Sequence, residues 1–311
     1  MTKNIKISAV INTRNEAKKI TKCLLSLKGF ADEIVVVDMY SKDKTVAIAK
    51  SLGAKVFRHK PLSWVEPARN YAINKTKGDW ILILDPDEYI TTTLKKELKK
   101  ITQRTDINFV RIPRKNLIFG KWMKHSNMWP DYLIRFFKKD RVKWKKEIHS
   151  QPETQGEGVT LLDSEKLAIR HNNYSDVDDF IKRALRYSET QANELIKNDY
   201  KLKTSDLLLK PIQEFNSRFF ANSGFKDGFH GLSFCLLQAV AIGLIYLKIW
   251  QIQGFDEKNL AKDSFVSASL ESNYEYNHWF SRYFTSQYSH NFFKSIIIKF
   301  QQLINRLIKN F

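Results

Sequence analysis

The run 80-WILILDPDEYI-90 sets three carboxylates, Asp85, Asp87 and Glu88, within four positions at the end of a stretch that otherwise reads as a buried β-strand. Carboxylates so close repel one another, so their surroundings must supply a cation or shift their protonation. An Asp-x-Asp turn offers hard oxygen ligands of the kind Mg²⁺ and Mn²⁺ take, with the other positions left to water and to the phosphates of a substrate. The pattern therefore points to a metal–diphosphate site. The plainer alternative is that Asp87 and Glu88 cap a helix beginning near Thr91.

The elements that must position these groups are legible upstream. From residue 5 to about 112, short β-rich runs (IKISAVI, EIVVVD, AKVF, WILILD) alternate with helical ones, the first carrying Ile20, Cys23, Leu24 and Leu27 on one face. Strands apolar on both faces suit a mostly parallel sheet covered by helices, so the fold class is α/β. In such sheets ligands lie outside the carboxyl ends of the strands. There the sequence places Asn12, Thr13, Arg14, Asn15 and Glu16 after the first strand, Asp38, Ser41, Asp43 and Thr45 after the second, and the three carboxylates after the fourth.

Composition bounds the partners. The chain has 311 residues, 43% hydrophobic and 27% charged, which is a folded rather than a disordered composition, and a net charge of +19. Such an excess of Lys and Arg implies something anionic: nucleic acid, an anionic membrane surface or a phosphorylated substrate. Two cysteines far apart, Cys23 and Cys235, argue against a disulfide framework or a structural zinc site. The apolar run at the N-terminus breaks at Asn12, too early for a signal peptide, so a cytoplasmic protein is expected.

Residues 1–112 read as one half of a sheet domain and 113–175 as its second half, with short strands such as YLIRFF. Residues 176–311 read as a helical extension that opens with Asp176, Asp178 and Asp179, where carboxylates suit a helix dipole. Within it, 231-GLSFCLLQAVAIGLIYL-247 carries no charge over 17 residues and reads as a buried or interfacial helix rather than a span. The segment 292-FFKSIIIKFQQLINRLIKNF-311 has apolar residues at helical spacing and a polar face holding Lys294, Lys299, Arg306 and Lys309. That is a basic amphipathic helix suited to an anionic lipid surface, or alternatively to packing on the domain core.

Four blocks taken in order, 7-ISAVINTRNEAKKITKCLLSL-27, 33-EIVVVDMYSKDKT-45, 67-PARNYAI-73 and 79-DWILILDPDEYI-90, resemble the nucleotide-binding half of family 2 inverting glycosyltransferases of the GT-A fold. The pieces 129-WPDYLIRFFKK-139, 148-IHSQP-152, 171-HNNYS-175 and 224-GFKDGFHGL-232 resemble, more loosely, the branch acting on lipopolysaccharide core. The resemblance implies a GT-A sheet with a helical, membrane-associating extension, a UDP-sugar donor, and a glycan or glycolipid acceptor at the inner face of the cell membrane. It implies that Thr13 and Glu16 line the nucleoside pocket, that Asp38 accepts a hydrogen bond from uracil, and that Arg69 faces uracil or the diphosphate. Asp85 would contact ribose or sugar, and Asp87 would coordinate Mg²⁺ or Mn²⁺.

An inverting transferase also needs a general base. The family's usual acidic pair has no clean match, so Asp131 is the first candidate, Glu147 the second and His149 a third that could instead bind metal or phosphate. Read singly, Asp38 could begin a turn, Arg69 could pair with Glu66, Glu16 could serve a helix dipole, and Asp131 could be a turn residue. The competing function is a non-enzymatic nucleic-acid binder drawing on the same positive charge. A dehalogenase-like phosphatase is excluded by Tyr89 and by the three β/α elements before the motif, and a nucleotidyltransferase by the glycine-free NTRNEAKK loop.

Overall fold

The computed structural model describes residues 4–60, 66–144, 152–256 and 262–287, with 296 and 300 beyond them. Glu147, His149 and, those two positions apart, the amphipathic stretch 292–311 lie outside the described residues. The chain forms two compact units, one of residues 1–117 with 129–173, the other of 118–128 with 174–311.

The first unit is built on a mixed sheet. The strands of the chain, in order, are β1 (Ile7–Thr13), β2 (Glu33–Asp38), β3 (Lys55–Arg58), β4 (Trp80–Leu84), β5 (Glu88–Tyr89), β6 (Ile107–Ile118), β7 (Lys121–Trp122), β8 (Asp131–Lys138), β9 (Val142–Lys143), β10 (Glu153–Thr154), β11 (Glu157–Thr160) and β12 (Ile169–Tyr174); β9 and β10 form a separate two-stranded sheet, and β7 belongs to the 118–128 segment of the second unit. The main path runs β3-β2-β1-β4-β8-β6-β12-β5. β1 lies parallel to β2 and β4, whereas β8 runs antiparallel to both β4 and β6. The sheet passes straight through position 112, because β6 continues to Ile118.

Helices α1 (Ile20–Leu27), α2 (Thr45–Ser51), α3 (Glu66–Asn74) and α4 (Thr92–Thr102) cover it. Every residue of β1 and β4 is buried, as expected of strands covered on both faces. Alternate residues serve opposite sides. Ala9, Ile11, Leu82 and Leu84 pack with Cys23, Leu24 and Leu27 of α1 and with Leu94 and Leu98 of α4. Val10, Ile81 and Ile83 pack with Ala72 and Ile73 of α3. The register pairs Thr13 with Asp38, Asp38 with Arg58 and Ile11 with Leu84, which aligns the carboxyl ends of the parallel strands on one rim.

The second unit holds α5 (Val177–Lys197), α6 (Asp206–Asn216), α7 (Phe229–Ile252) and α8 (Lys262–Gln287). Asp176 caps α5, its side chain accepting from Asp179 N at 2.7 Å, the role its position suggests. The GFKDGFHGL block is a clasp. Asp227 is buried, and its carboxylate accepts the backbone N–H of His125 at 2.9 Å and of Lys124 at 3.1 Å, with the His125 ring Nδ1 at 3.1 Å. Gly231 is required there, since a Cβ would stand 1.9 Å from the Gly224 carbonyl oxygen.

α7 extends beyond the uncharged 17-residue run at both ends. Its 24 residues rise about 36 Å, and by length and composition alone it could cross a bilayer. Phe234, Cys235, Ile245 and Ile249 are buried, while Leu236, Val240 and Leu247 stay exposed, so one face packs and another does not. Cys23 and Cys235 are buried free thiols.

Gly231→Ala is expected to lower stability by about 1–3 kcal/mol, because the extra methyl meets backbone rather than a movable side chain. Urea unfolding checks this, and an unchanged midpoint would show that the clasp yields.

Candidate active site

Three loops meet at the rim. Thr13 is buried at the end of β1, and its hydroxyl has no hydrogen-bond partner among the described residues. Asp38 is 1% exposed, with both carboxylate oxygens 3.2 Å from Ser41 N, so it does begin a turn while sitting on the rim. The β1–α1 loop is tied to the β2–α2 loop. Glu16 N donates to Thr45 Oγ1 at 2.8 Å, Asn15 N to Ser41 Oγ at 2.8 Å, and Lys42 N to Asn15 Oδ1 at 2.7 Å. These bonds bring Thr13, Glu16 and Asp38 together, although Glu16 is half-buried and contributes its backbone to the tie.

At the end of β4 the carboxylates receive their cations from α3 just upstream and from strands farther along the chain. Asp85 Oδ1 accepts from Arg69 Nη2 at 3.1 Å and Oδ2 from Arg135 Nη2 at 2.6 Å. Glu88 is fully buried, accepting Asp85 N at 2.9 Å on Oε2 and Arg114 Nη1 at 3.1 Å on Oε1, with Arg135 Nη2 at 3.5 Å. Arg114 continues the chain of charges, its Nη2 lying 2.7 Å from Asp131 Oδ2. Burial alone would push the Asp85 carboxyl up, but Arg135, Arg69 and Arg114 outweigh it and hold the group well below the usual carboxylate range. Arg135 is buried too, which lowers its pKa, yet Asp85 and Glu88 more than compensate and raise it.

Asp87 is handled differently. Its Oδ1 lies 3.6 Å from His171 Nε2 and its Oδ2 3.9 Å from Lys19 Nζ. β12 brings His171 opposite Glu88, and Asn172 N donates to the Asp87 carbonyl at 3.0 Å. The other ring nitrogen, Nδ1, is 2.6 Å from Asn116 Oδ1, an acceptor that suits donation from Nδ1 and orients the ring with Nε2 toward Asp87. An oxygen and a nitrogen 3.6 Å apart can share a divalent cation at bond lengths of about 2.0–2.2 Å, and a hydrogen-bonded second nitrogen is what a ligating histidine ordinarily has. Among the described residues no group of three or more His, Cys, Asp or Glu could hold a metal. Two protein ligands, with diphosphate and water for the rest, fit Mg²⁺ or Mn²⁺.

The capping alternative does not describe Asp87 and Glu88, since Thr91 itself caps α4 by accepting from Leu94 N at 3.1 Å. Arg69 bonds Asp85. Asp131 stands at the start of β8, with Arg114 Nε at 2.8 Å and Asn116 Nδ2 at 3.0 Å both on Oδ2. Arg114, Asn116, Arg135 and His171 received no role from the sequence, and Glu88 only that of a member of the carboxylate cluster or of a helix cap. The signal that could have found two of them is an arginine inside each apolar strand, INFVRIPRKNLI and DYLIRFFK, because a charge at a buried strand position needs a partner.

Residues 8–155 match the model of glycosyl transferase family 2. An uncharacterised glycosyltransferase of Rickettsia bellii is 31% identical over 260 residues, covering 79% of this chain and 87% of the relative. The chain belongs to glycosyltransferase family 2. A second relative of this transferase, an uncharacterised glycosyltransferase from Rickettsia felis, is 29% identical over 281 residues, covering 87% and 96% of the two chains. Among solved structures, S. aureus TarS 1-349 in complex with UDP superposes at 17% identity over 82% of this chain and 93% of that one, with a TM-score of 0.42, too low to argue from. With the family shown, the nucleic-acid-binder reading is set aside.

Glu88→Leu takes one carboxylate from Arg114 and Arg135, which keep Asp131 and Asp85, and removes the acceptor of the Asp85 N–H, so its expected cost is about 1–3 kcal/mol in urea unfolding. A depressed carboxyl contributes stability that is present above its unfolded pKa of about 3.9 and is lost as pH falls below it. Asp85→Asn should therefore be less stable than the parent at pH 7, with the gap nearly unchanged down to about pH 4 and narrowing only below it. Unfolding midpoints from pH 7 to about pH 2 test this, and a gap that does not narrow below about pH 4 would contradict it.

Proposed function

We propose that this transferase moves a hexose from a UDP-sugar, with inversion, to a membrane-linked glycan or glycolipid such as lipopolysaccharide core. The observation that carries the donor half is the Asp87–His171 pair, set at the end of β4 on the rim that also holds Thr13 and Asp38. A divalent cation bound there would neutralise charge developing on the diphosphate as it leaves. The chain's own residues do the rest. The buried Asp38 carboxylate accepts an N–H of the base, a contact that favours uracil. Thr13 offers a buried hydroxyl to the nucleoside, and Glu16 lines the same pocket.

Arg69 and Arg135 keep Asp85 ionised and oriented to take sugar or ribose hydroxyls. Transfer forms one bond, from the acceptor oxygen to the anomeric carbon, and breaks the bond from that carbon to the diphosphate oxygen. The acceptor proton passes to a base, for which Asp131 is the assignment, aimed by Arg114 and Asn116, with Glu147 the second candidate. The membrane half of the reading, with the protein peripheral on the inner face, is supported by the net charge of +19 and by the open apolar face of α7.

Thermal shift with UDP, GDP, CMP and ADP, with and without Mn²⁺, tests the donor. At about 100 times its dissociation constant a nucleotide adds about 2.7 kcal/mol, a shift of about 2–4 °C per kcal/mol for a large domain. UDP should stabilise in the presence of metal, and Asp87→Asn and His171→Ala should each remove the metal dependence. Equal responses to all four nucleotides would sink the UDP assignment. Flotation with anionic vesicles tests the membrane half, which fails if the protein stays at the bottom.

A further inference from the structure

A cavity of about 520 Å³ opens within the helical unit, among α6, α7 and α8. Its walls are Pro211, Ile212 and Phe215 from α6, Leu236 and Ala239 from α7, and Tyr276 from α8. The volume lies inside the range of about 300–1,000 Å³ typical of small-molecule sites, and such sites combine apolar walls with a few placed polar groups. Here the polar groups come from α8: Tyr276, Asn273, whose Oδ1 already accepts from Asn277 Nδ2 at 2.6 Å, and Ser272. Ser272 is 6% exposed, and its hydroxyl has no hydrogen-bond partner among the described residues. Buried hydroxyls are ordinarily paired, and this one lines the cavity, where an occupant could pair it.

The mouth indicates the class of occupant. Leu236 lines the cavity and is also half exposed, and it begins the stripe of Leu236, Val240 and Leu247 along the open face of α7. The cavity is thus continuous with an apolar surface. A polar metabolite would be desolvated against leucine, proline and phenylalanine with only a few polar groups on the α8 side in return, whereas a hydrocarbon chain loses nothing along the α6 and α7 walls. We propose that this cavity takes one hydrocarbon chain of a membrane lipid, with an oxygen of that lipid, as ester, carboxyl or hydroxyl, hydrogen-bonded to Ser272. The membrane reading above supplies the source of the lipid; the cavity itself does not depend on the donor site.

The test uses the full chain and cis-parinaric acid, whose polyene fluoresces on entering an apolar site. Saturable binding is expected for the parent protein. Ala239→Trp fills the cavity and should weaken binding by at least about tenfold, because an indole and a chain cannot share the space. Ser272→Ala removes only the hydroxyl and should weaken it about fivefold, the scale of one modest hydrogen bond. It covers the case in which the tryptophan variant does not fold, which circular dichroism reports. Non-saturable binding, or equal affinity in parent and both variants, overturns the proposal, since a bare apolar surface would behave so. A parent that binds the fatty acid in a saturable, cavity-dependent way yet ignores vesicles leaves the cavity standing and removes the membrane reading instead.

Discussion

Three carboxylates at the end of one buried strand can coexist only because arginines reach them from elsewhere in the chain, and the sheet is arranged to deliver those arginines. β8 runs antiparallel beside β4 and carries Arg135 to Asp85; β6, antiparallel to β8, carries Arg114 to Glu88 and Asp131. The switch from parallel to antiparallel strands is what allows this. A parallel neighbour would offer its own carboxyl-end loop to the rim, whereas an antiparallel one offers the beginning of a strand, with a side chain already fixed by the ladder. Desolvating these ions is costly, and only the density of pairing offsets it.

That pairing divides the motif into two functions. Asp85 and Glu88 are held by guanidinium groups and shape the floor. Asp87 instead faces an imidazole and a lysine ammonium at the longer separations of 3.6 and 3.9 Å. Because its neighbours' charges are already balanced, Asp87 can interact with a cation without three carboxylates competing for it. Asn116 links the two parts, since its Nδ2 donates to Asp131 and its Oδ1 meets His171 Nδ1. A continuous line of side-chain contacts therefore runs from Arg114 through Asp131 and Asn116 to the histidine that faces Asp87.

The helical unit follows different physics. Its specificity comes from the Asp227 clasp, which satisfies backbone N–H groups of the 121–128 segment, and from glycine at 231, where two backbones approach too closely for a side chain. Its apolar content exceeds what its own packing consumes. α7 has a buried face and an open one, and the cavity beside it leaves a serine hydroxyl without a partner among the described residues.

The sequence by itself determined the alternation of strands and helices, the burial of β1 and β4, the carboxylates at the start of α5, the unpaired cysteines, and the presence of Thr13, Asp38 and the DPDE cluster on one rim. These follow from periodicity and from the position of polar groups at strand ends, both local properties. What only the tertiary structure decided is who neutralises whom. Arg114 meets Glu88 across 26 positions and Arg135 meets Asp85 across 50, and no window of sequence contains both partners. The same holds for His171, whose block resembled a family motif without declaring a role, and for Asp131, whose residue type suggested a base while its fixed contacts with Arg114 and Asn116 became visible only in the fold. Periodicity tells a residue which face it takes; strand direction and register tell it which charge it will find there.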